Sequence, residues 1–181
     1  MEKTLTRVAL KLSKEGAFVL FTVCMAVLLP QLFHVGGKLL GVGAALGQIF
    51  LPMYLPVLIL GCYRGAATGA VAGLLSPIVS YFFTQMPALA MLPYITAELV
   101  ALGFFAGVFS KTKLPALLRV FLAQVVAKAV RIALLGAVLA ANGAFRAPAL
   151  FAGIGISLPG VALQLIVVTL LILYKEKNKN A

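Results

Sequence analysis

Long uncharged segments limit the folds open to this chain. Residues 65–97 contain no Asp, Glu, Lys or Arg, and the 181-residue chain is 63% hydrophobic and 10% charged, with a mean hydropathy of +1.13. A soluble domain of this length needs far more polar surface. The sequence therefore predicts a polytopic membrane protein that folds as one domain over residues 1–181.

The apolar segments have the length of membrane spans. A helix needs roughly 20 apolar residues to cross a hydrocarbon core about 30 Å thick. The segments predict an all-α bundle of six transmembrane helices at 16–33, 49–63, 65–84, 88–109, 115–141 and 148–174. Pro87 and Pro93 are expected to turn the chain between the third and fourth spans. The Gly-rich segment 34–48 is expected to connect the first two, and the basic N-terminal segment shows no convincing cleavage site, so the first span should be retained.

Basic residues predict the orientation. With six spans both termini lie on one side, which then collects eleven of the 15 Lys and Arg residues: Lys3, Arg7, Lys11, Lys14, Arg64, Lys111, Lys113, Arg119, Lys175, Lys177 and Lys179. The opposite side holds Lys38 and Arg146. By the positive-inside rule, both termini are expected to be cytoplasmic, and the connections 34–48, 84–88 and 142–147 to face outward.

The net charge of +11 raises the question of nucleic acid. There is no basic low-complexity arm and no base-stacking motif, so we expect no nucleic-acid partner and read the charge as a topology signal. Cys24 and Cys62 lie in apolar surroundings without a CxxC motif, and the chain has one His. We therefore expect no disulfide framework, no metal site and no cofactor.

Small residues recur at helical spacing in two spans. Gly65, Gly69 and Gly73 form a stripe without side chains on the third span, and Thr22 and Ala26 form a weaker pair on the first. Such stripes let another helix approach closely. We favour a tight contact inside the bundle, with a docking surface for a partner protein as the alternative.

Charged residues also occur inside the predicted spans. Gln124, Lys128 and Arg131 share one face of the fifth span, and Tyr94 and Glu98 share one face of the fourth. Intramembrane charges normally face the bundle interior or a wet cavity and mark a site. We expect Glu98 to neutralise one cation and the other to await an anionic ligand. The alternative is a purely structural ion pair.

Other polar residues leave more than one interpretation open. Gln164, in the sixth span, needs a hydrogen-bond partner on a neighbouring helix or a ligand. His34 begins the first outer connection, where an interfacial role is favoured over a ligand contact. Tyr54, Tyr81 and Tyr94 are candidates for cavity walls or interfacial anchors.

Catalytic motifs are absent from the sequence. It contains no paired carboxylates, no HExxH and no GxSxG, and GVFSKTK (107–113) lacks the glycines of a phosphate-binding loop. We expect a binding or transport protein that is not an enzyme and does not itself hydrolyse ATP. An intramembrane enzyme and a membrane assembly scaffold are the rival hypotheses.

The segment GQIFLPMYLPVLILGCYRGAATGAVAGLLSPIVSYFFTQMP (47–87) resembles the S components of energy-coupling-factor (ECF) transporters. In that family an LPMxxPVLxxG stretch leads into a glycine-rich third helix and an SPxxSxxxTxMP ending. Further likeness occurs in AELVALGFFAG (97–107), in LPGVALQLIVV (158–168) and in the basic residues of the fifth span. The resemblance covers about residues 5–174.

The resemblance implies a substrate-binding subunit in a prokaryotic plasma membrane. Such a subunit binds a vitamin or similar micronutrient near the outer face and delivers it with a T component and two cytoplasmic ATPases, toppling in the bilayer. Thr22 and Ala26 stand where the family has an AxxxA coupling motif, and Ala127-Lys128 where relatives carry Gly-Arg. With the basic residues, the resemblance predicts a small anionic substrate. A haem-like tetrapyrrole, with propionates on Lys128 and Arg131 and the metal near His34, is the alternative.

Overall fold

Helices account for the architecture of this chain. The computed structural model describes residues 2–43, 45–143, 148, 151 and 154–180, and no strand occurs among them. The helices in this part of the chain are α1 (Glu2–Leu39), α2 (Ala45–Phe50), α3 (Tyr54–Arg64), α4 (Ala66–Thr84), α5 (Leu92–Phe109), α6 (Ala116–Ala141) and α7 (Ile154–Asn180).

Six helical segments are long and apolar enough to cross a membrane. They are Ser13–Leu39, Ala45–Arg64, Ala66–Thr84, Leu92–Phe109, Ala116–Ala141 and Ile154–Asn178. The predicted all-α bundle of six spans is therefore confirmed. The start predicted for the last span, at residue 148, is followed by positions outside the described residues.

The connection predicted at 34–48 is wrong in extent. Helix α1 continues through Gly36 and Gly37 to Leu39, and α2 begins at Ala45. The chain folds back onto the end of α1, where Val42 and Gly43 donate backbone hydrogen bonds to the carbonyl of Gly37 at 2.9 and 3.1 Å. A Cβ at Gly37 would overlap with the carbonyl of Gly43. Glycine is used here for close approach, and it does not end the helix.

The second span is broken in its middle. Helix α2 ends at Phe50 and α3 begins at Tyr54, and Leu51 between them has a φ of 46°. Pro52 cannot donate the next helical hydrogen bond and disfavours helical geometry in the residue before it. Pro56 lies in the first turn of α3, where a missing N–H breaks no helical bond. The break therefore follows from Pro52, and α3 accommodates Pro56 in its first turn.

Glycines hold the centre of the bundle together. Helix α5 packs against α3, α4 and α6. A Cβ at Gly69 of α4 would overlap with the carbonyl of Gly103 of α5, and a Cβ at Gly73 with the carbonyl of Leu99. Gly61 of α3 approaches the same Gly103 carbonyl. The backbones thus touch directly, which is the kind of contact that drives helix association in lipid.

Gly65 takes part in this packing through its backbone alone, because a Cβ at Gly107 of α5 would overlap with the Gly65 carbonyl carbon. Nothing lies within 4 Å of the position that its Cβ would take. Its φ of 103° instead lets a single residue join α3 to α4. The prediction that Gly65 shares one helix face with Gly69 and Gly73 is therefore wrong, because α4 begins one residue later, but α5 still approaches the Gly65 backbone closely.

Two ion pairs lie at the end of the bundle where α3 ends and α6 begins, and we call this end the basic end. Arg64 pairs with Glu15 at 2.5 Å, which joins the end of α3 to α1, and Arg119 pairs with Glu176 at 2.6 Å, which joins the start of α6 to α7. The α4–α5 connection, residues 85–91, lies at the opposite end. Arg146 lies outside the described residues. Which end faces the cytoplasm stays a prediction from the charge pattern.

Candidate functional site: a buried charge cluster

A carboxylate with three donors lies inside the bundle. Glu98 of α5 is fully buried. Its Oε1 accepts a hydrogen bond from Lys128 Nζ at 2.5 Å, and its Oε2 accepts from Tyr54 Oη at 2.8 Å and from Arg131 Nη1 at 3.2 Å. We call these four residues the charge cluster. They come from α3, α5 and α6, so the cluster ties three spans together.

Local helix geometry explains how the cluster assembles. Lys128 and Arg131 are three residues apart near the middle of α6, which puts them on the face that packs against α5. The break before α3 places Tyr54 at the first position of that helix. There its ring lies 5.2 Å from Lys128 Nζ, within the range of a cation–π contact. Lys128 thus interacts with both the carboxylate and the phenol ring.

Both cations contact the same carboxylate. The expectation that Glu98 pairs with one cation and leaves the other unpaired is therefore wrong in its geometry. The reason is that a carboxylate has two oxygens and lone pairs enough for several donors. The charge count is unchanged, since two positive side chains still share one negative one. The cluster carries a formal excess of one positive charge.

The cations differ in their access to the surroundings. The Arg131 and Lys128 side chains are 23% and 17% exposed, whereas Glu98 is 0% exposed. Arg131 also makes the longer of the two ion-pair contacts. Arg131 is therefore the cation that an incoming group reaches with the smaller loss of existing contacts.

An amide beside the cluster has no partner. Gln124 lies one helical turn before Lys128, is only 5% exposed, and neither its Nε2 nor its Oε1 has a hydrogen-bond partner among the described residues. It lines a cavity of about 10 Å³ together with Glu98, Tyr54, Lys128 and Gln164. A cavity of this size holds about one water molecule. Leaving a buried amide unpaired costs about 1–3 kcal/mol, so this position favours a polar guest.

Gln164 finds its partner within the protein. Its Nε2 lies 3.4 Å from the carbonyl oxygen of Phe50 and 3.2 Å from that of Leu51. Both carbonyls lie where the second span is broken, and that of Leu51 also accepts a hydrogen bond of 3.0 Å from the backbone N–H of Tyr54. Of the two interpretations open for Gln164, the neighbouring-helix partner is the one that the structure contains. The side chain satisfies the broken backbone inside the membrane, as a polar group from an adjacent helix can.

Three predicted site residues lie apart from the cavity lining. Tyr94 is half-buried and makes no hydrogen bond to Glu98, although it shares the helix with it. Tyr81 packs edge-on against Phe82, and the His34 ring packs on Gly47. None of the three lines the cavity beside Glu98. Within the described part of the chain, no contact with the cavity supports the prediction that these three residues belong to the substrate site.

Thr22 and Ala26, the small residues predicted as a pair on the first span, lie in different environments. Ala26 is fully buried in the main hydrophobic core. Thr22 is buried to 5% exposure and lines a groove between α1 and α3. Ala26 is therefore covered by the chain itself, and only Thr22 borders a surface that another molecule can reach.

Tyr54 was a candidate for a cavity wall or an interfacial anchor, but its hydrogen bond to Glu98 was missed. Three of the five tyrosines were candidates, and the spacing of Tyr94 to Glu98 favoured Tyr94 as the partner of that carboxylate, which is wrong. The signal for Tyr54 is its place directly after Leu51–Pro52–Met53, because a proline break in a span frees backbone groups and gathers polar side chains around them.

Comparison of the chain with protein-family models, with curated proteins and with solved structures gives no match. Among the described residues, no group of three or more His, Cys, Asp and Glu side chains is placed to hold a metal ion. The described site offers a ligand two cations, a phenol hydroxyl and an unpaired amide.

Proposed function

We propose that this protein is the substrate-binding S component of an ECF-type importer and that it captures a small anionic micronutrient from outside the cell. A T component and two cytoplasmic ATPases then supply the energy for uptake. The observation that carries the proposal is the pairing of two cations, Lys128 and Arg131, with the single buried carboxylate of Glu98.

The excess charge is the first support. A cation inside a membrane bundle costs a few kcal/mol on insertion scales, so it is retained where it has a partner or a task. Glu98 neutralises one unit of charge, and the second unit stands in a largely desolvated position. A carboxylate or phosphate group of a substrate supplies the missing negative charge with charge-assisted hydrogen bonds.

The size of the cavity sets how a ligand enters. At about 10 Å³ the space beside Glu98 does not admit a micronutrient. Pockets that hold such ligands measure roughly 300–1,000 Å³. We therefore infer an exchange of partners in which the anionic group of the substrate takes over Arg131, while Lys128 keeps its contact with Glu98. The helices around the cavity separate as the ligand enters.

The amide of Gln124 adds specificity. Its donor and its acceptor are both unpaired within the described residues, so it can bind a hydroxyl, an amide or a ring nitrogen of the same ligand. A site with the Arg131 cation and the buried Gln124 amide about two helical turns apart discriminates against anions that carry no second polar group, because these leave the amide unpaired.

Mass spectrometry of small molecules that copurify in mild detergent tests the proposal. The parent protein should carry an anionic compound of low molecular mass, and the variant Lys128→Gln/Arg131→Gln should lose it. Arg119→Gln is the matched control, because Arg119 lies on the same helix but pairs with Glu176 at the basic end. A compound without an anionic group, or equal retention by the double variant, contradicts the proposal.

The rival functions give different outcomes. An intramembrane enzyme converts a lipid or peptide without partner proteins, and a scaffold binds no small molecule. Saturable binding without turnover, together with copurification of a T component and ATPases from the native membrane, separates a transport subunit from both. If the compound binds but those partners do not copurify, the proposal of an anion site is supported and the proposal of an ECF-type importer is contradicted.

A further inference from the structure

An apolar groove runs along the outside of the bundle from the basic end. It has a volume of about 530 Å³ and lies between α1 and α3. Phe18, Phe21 and Met25 form one wall, and Leu55 and Ile59 lie opposite them. Lys175 of α7 and Arg64 of α3 stand where the groove reaches the basic end. The groove is separate from the charge cluster, with which it shares no lining residue.

The length of the groove matches one leaflet of a bilayer. Its lining residues on α1 extend from Phe18 to Leu29, which spans roughly 16 Å at 1.5 Å per residue. Half of a hydrocarbon core is about 15 Å. The groove therefore extends from the membrane surface at the basic end to about the middle of the bilayer, which is the depth that one acyl chain reaches.

The entrance of the groove carries positive charge. Lys175 Nζ lies 4.2 Å from the centre of the Tyr63 ring and forms no ion pair among the described residues. Arg64 donates to Glu15 through Nε and Nη2. Its Nη1 donates no hydrogen bond within the described residues. The entrance thus combines an unpaired ammonium with a guanidinium that has a donor to spare. Both are suited to phosphate oxygens.

We propose that this groove binds an anionic phospholipid. One acyl chain lies along Phe21, Met25 and Ile59, and the headgroup phosphate contacts Lys175 and Nη1 of Arg64. An amphiphile with a negative head and an apolar tail matches both the walls and the entrance. The inference is independent of the substrate proposed for the charge cluster.

A transmembrane helix of a partner fits the groove less well. A helix about 10 Å wide occupies roughly 1,250 Å³ over the same 16 Å, so more than half of it would stand outside a groove of about 530 Å³. A helix that carries no acidic residue at this level would also cover Lys175 without supplying a negative charge, which leaves a desolvated cation. A single acyl chain is narrower than a helix, and an anionic headgroup supplies the negative charge for Lys175.

Native mass spectrometry of lipid adducts tests the inference. The delipidated protein in detergent is mixed with equal amounts of phosphatidylglycerol and phosphatidylcholine with matched acyl chains. The parent should retain phosphatidylglycerol preferentially. Lys175→Gln should lower the phosphatidylglycerol adduct about fivefold, the effect expected for one basic residue near a membrane surface, and should leave the phosphatidylcholine adduct unchanged.

Two further variants distinguish lipid binding in the groove from a general effect of positive charge on the protein surface. Lys113→Gln removes a basic residue outside the lining of the groove, in the segment that joins α5 to α6, and should behave like the parent. Met25→Trp fills the groove at mid-depth and should reduce both adducts, with thermal unfolding used to verify that the variant is folded. An equal loss in Lys113→Gln and Lys175→Gln, no preference between the lipids, or unaltered adducts in Met25→Trp overturns the inference. Should Met25→Trp fail to fold, the two Lys variants still decide the result.

Discussion

Tyr54 donates a hydrogen bond of 2.8 Å to Glu98, and this contact joins the broken second span to α5 inside the bundle. Tyr54 occupies the first position of α3, so the hydrogen bond fixes the helix where it restarts. The carboxylate that holds the two cations is thus itself held from a third helix. The geometry of the charge cluster depends on this phenol as well as on the ion pairs.

Tyr54→Phe should therefore destabilise the folded protein. A hydrogen bond to a charged group contributes about 1.5–3 kcal/mol, and its loss leaves Glu98 with fewer donors in a buried position. We expect a lower melting temperature in detergent. Tyr81→Phe is the matched control, because the Tyr81 hydroxyl makes no hydrogen bond within the described residues and its ring packs on Phe82. Equal melting temperatures for Tyr54→Phe and the parent would show that the contact contributes little.

Glu98→Gln should destabilise the protein more strongly. Removing one member of a buried pair costs about 3–5 kcal/mol, because the remaining charge is left uncompensated. Here two cations, Lys128 and Arg131, lose their shared partner. The double variant Glu98→Gln/Lys128→Met should recover part of the stability, since it removes one of the two orphaned charges. Unfolding followed by circular dichroism measures both effects, and a double variant that is less stable than Glu98→Gln argues against charge as the cause.

Gly69→Ala should weaken the bundle at its centre. The added Cβ would overlap with the carbonyl of Gly103, so α4 and α5 must move apart, and overpacking of this kind costs about 1–3 kcal/mol. Gly16→Ala is the control, because nothing lies within 4 Å of its added methyl group and alanine favours helix. Folded yield and melting temperature in detergent should fall for Gly69→Ala and should be unchanged for Gly16→Ala. An equally stable Gly69→Ala variant would contradict the close contact between the two backbones.

Single cysteines in a background without Cys24 and Cys62 test the orientation. Lys113→Cys lies at the basic end and Asn142→Cys lies at the opposite end of α6. The positive-inside rule predicts that an impermeant maleimide added to intact cells labels Asn142→Cys and reaches Lys113→Cys only after lysis. The reverse labelling would place the termini outside.

The sequence was sufficient to predict the number of membrane spans and one wall of the site. Hydropathy specifies the six spans because lipid leaves a chain few alternatives to the helix. The spacing of Lys128 and Arg131 places both on one face of α6, and Glu98 was the available counter-charge among few acidic residues. The pairing of Glu98 with a cation of α6 could therefore be anticipated from helical periodicity and charge, whereas its contact with both Lys128 and Arg131 was not.

Features that depend on how helices meet could not be anticipated. The role of Tyr54 depends on a break in the second span that fixes the direction of α3, which periodicity within one helix does not reveal. The continuation of α1 through Gly36 and Gly37 depends on the turn that folds back onto it. Gly65 allows the turn between α3 and α4, whereas Gly69 lies on the packed face of α4, and this distinction depends on where α4 begins.

The most direct test of the account is the calorimetric titration of the copurifying compound into the parent protein and three variants. Arg131→Gln should weaken binding roughly ten- to a hundredfold, the effect of losing a charge-assisted contact, while the control Arg119→Gln should bind like the parent. Lys128→Gln should weaken binding less, because Lys128 is expected to stay with Glu98. If both Arg131→Gln and Lys128→Gln bind the compound as tightly as the parent, the charge cluster is a structural ion pair and the proposed anion site is wrong.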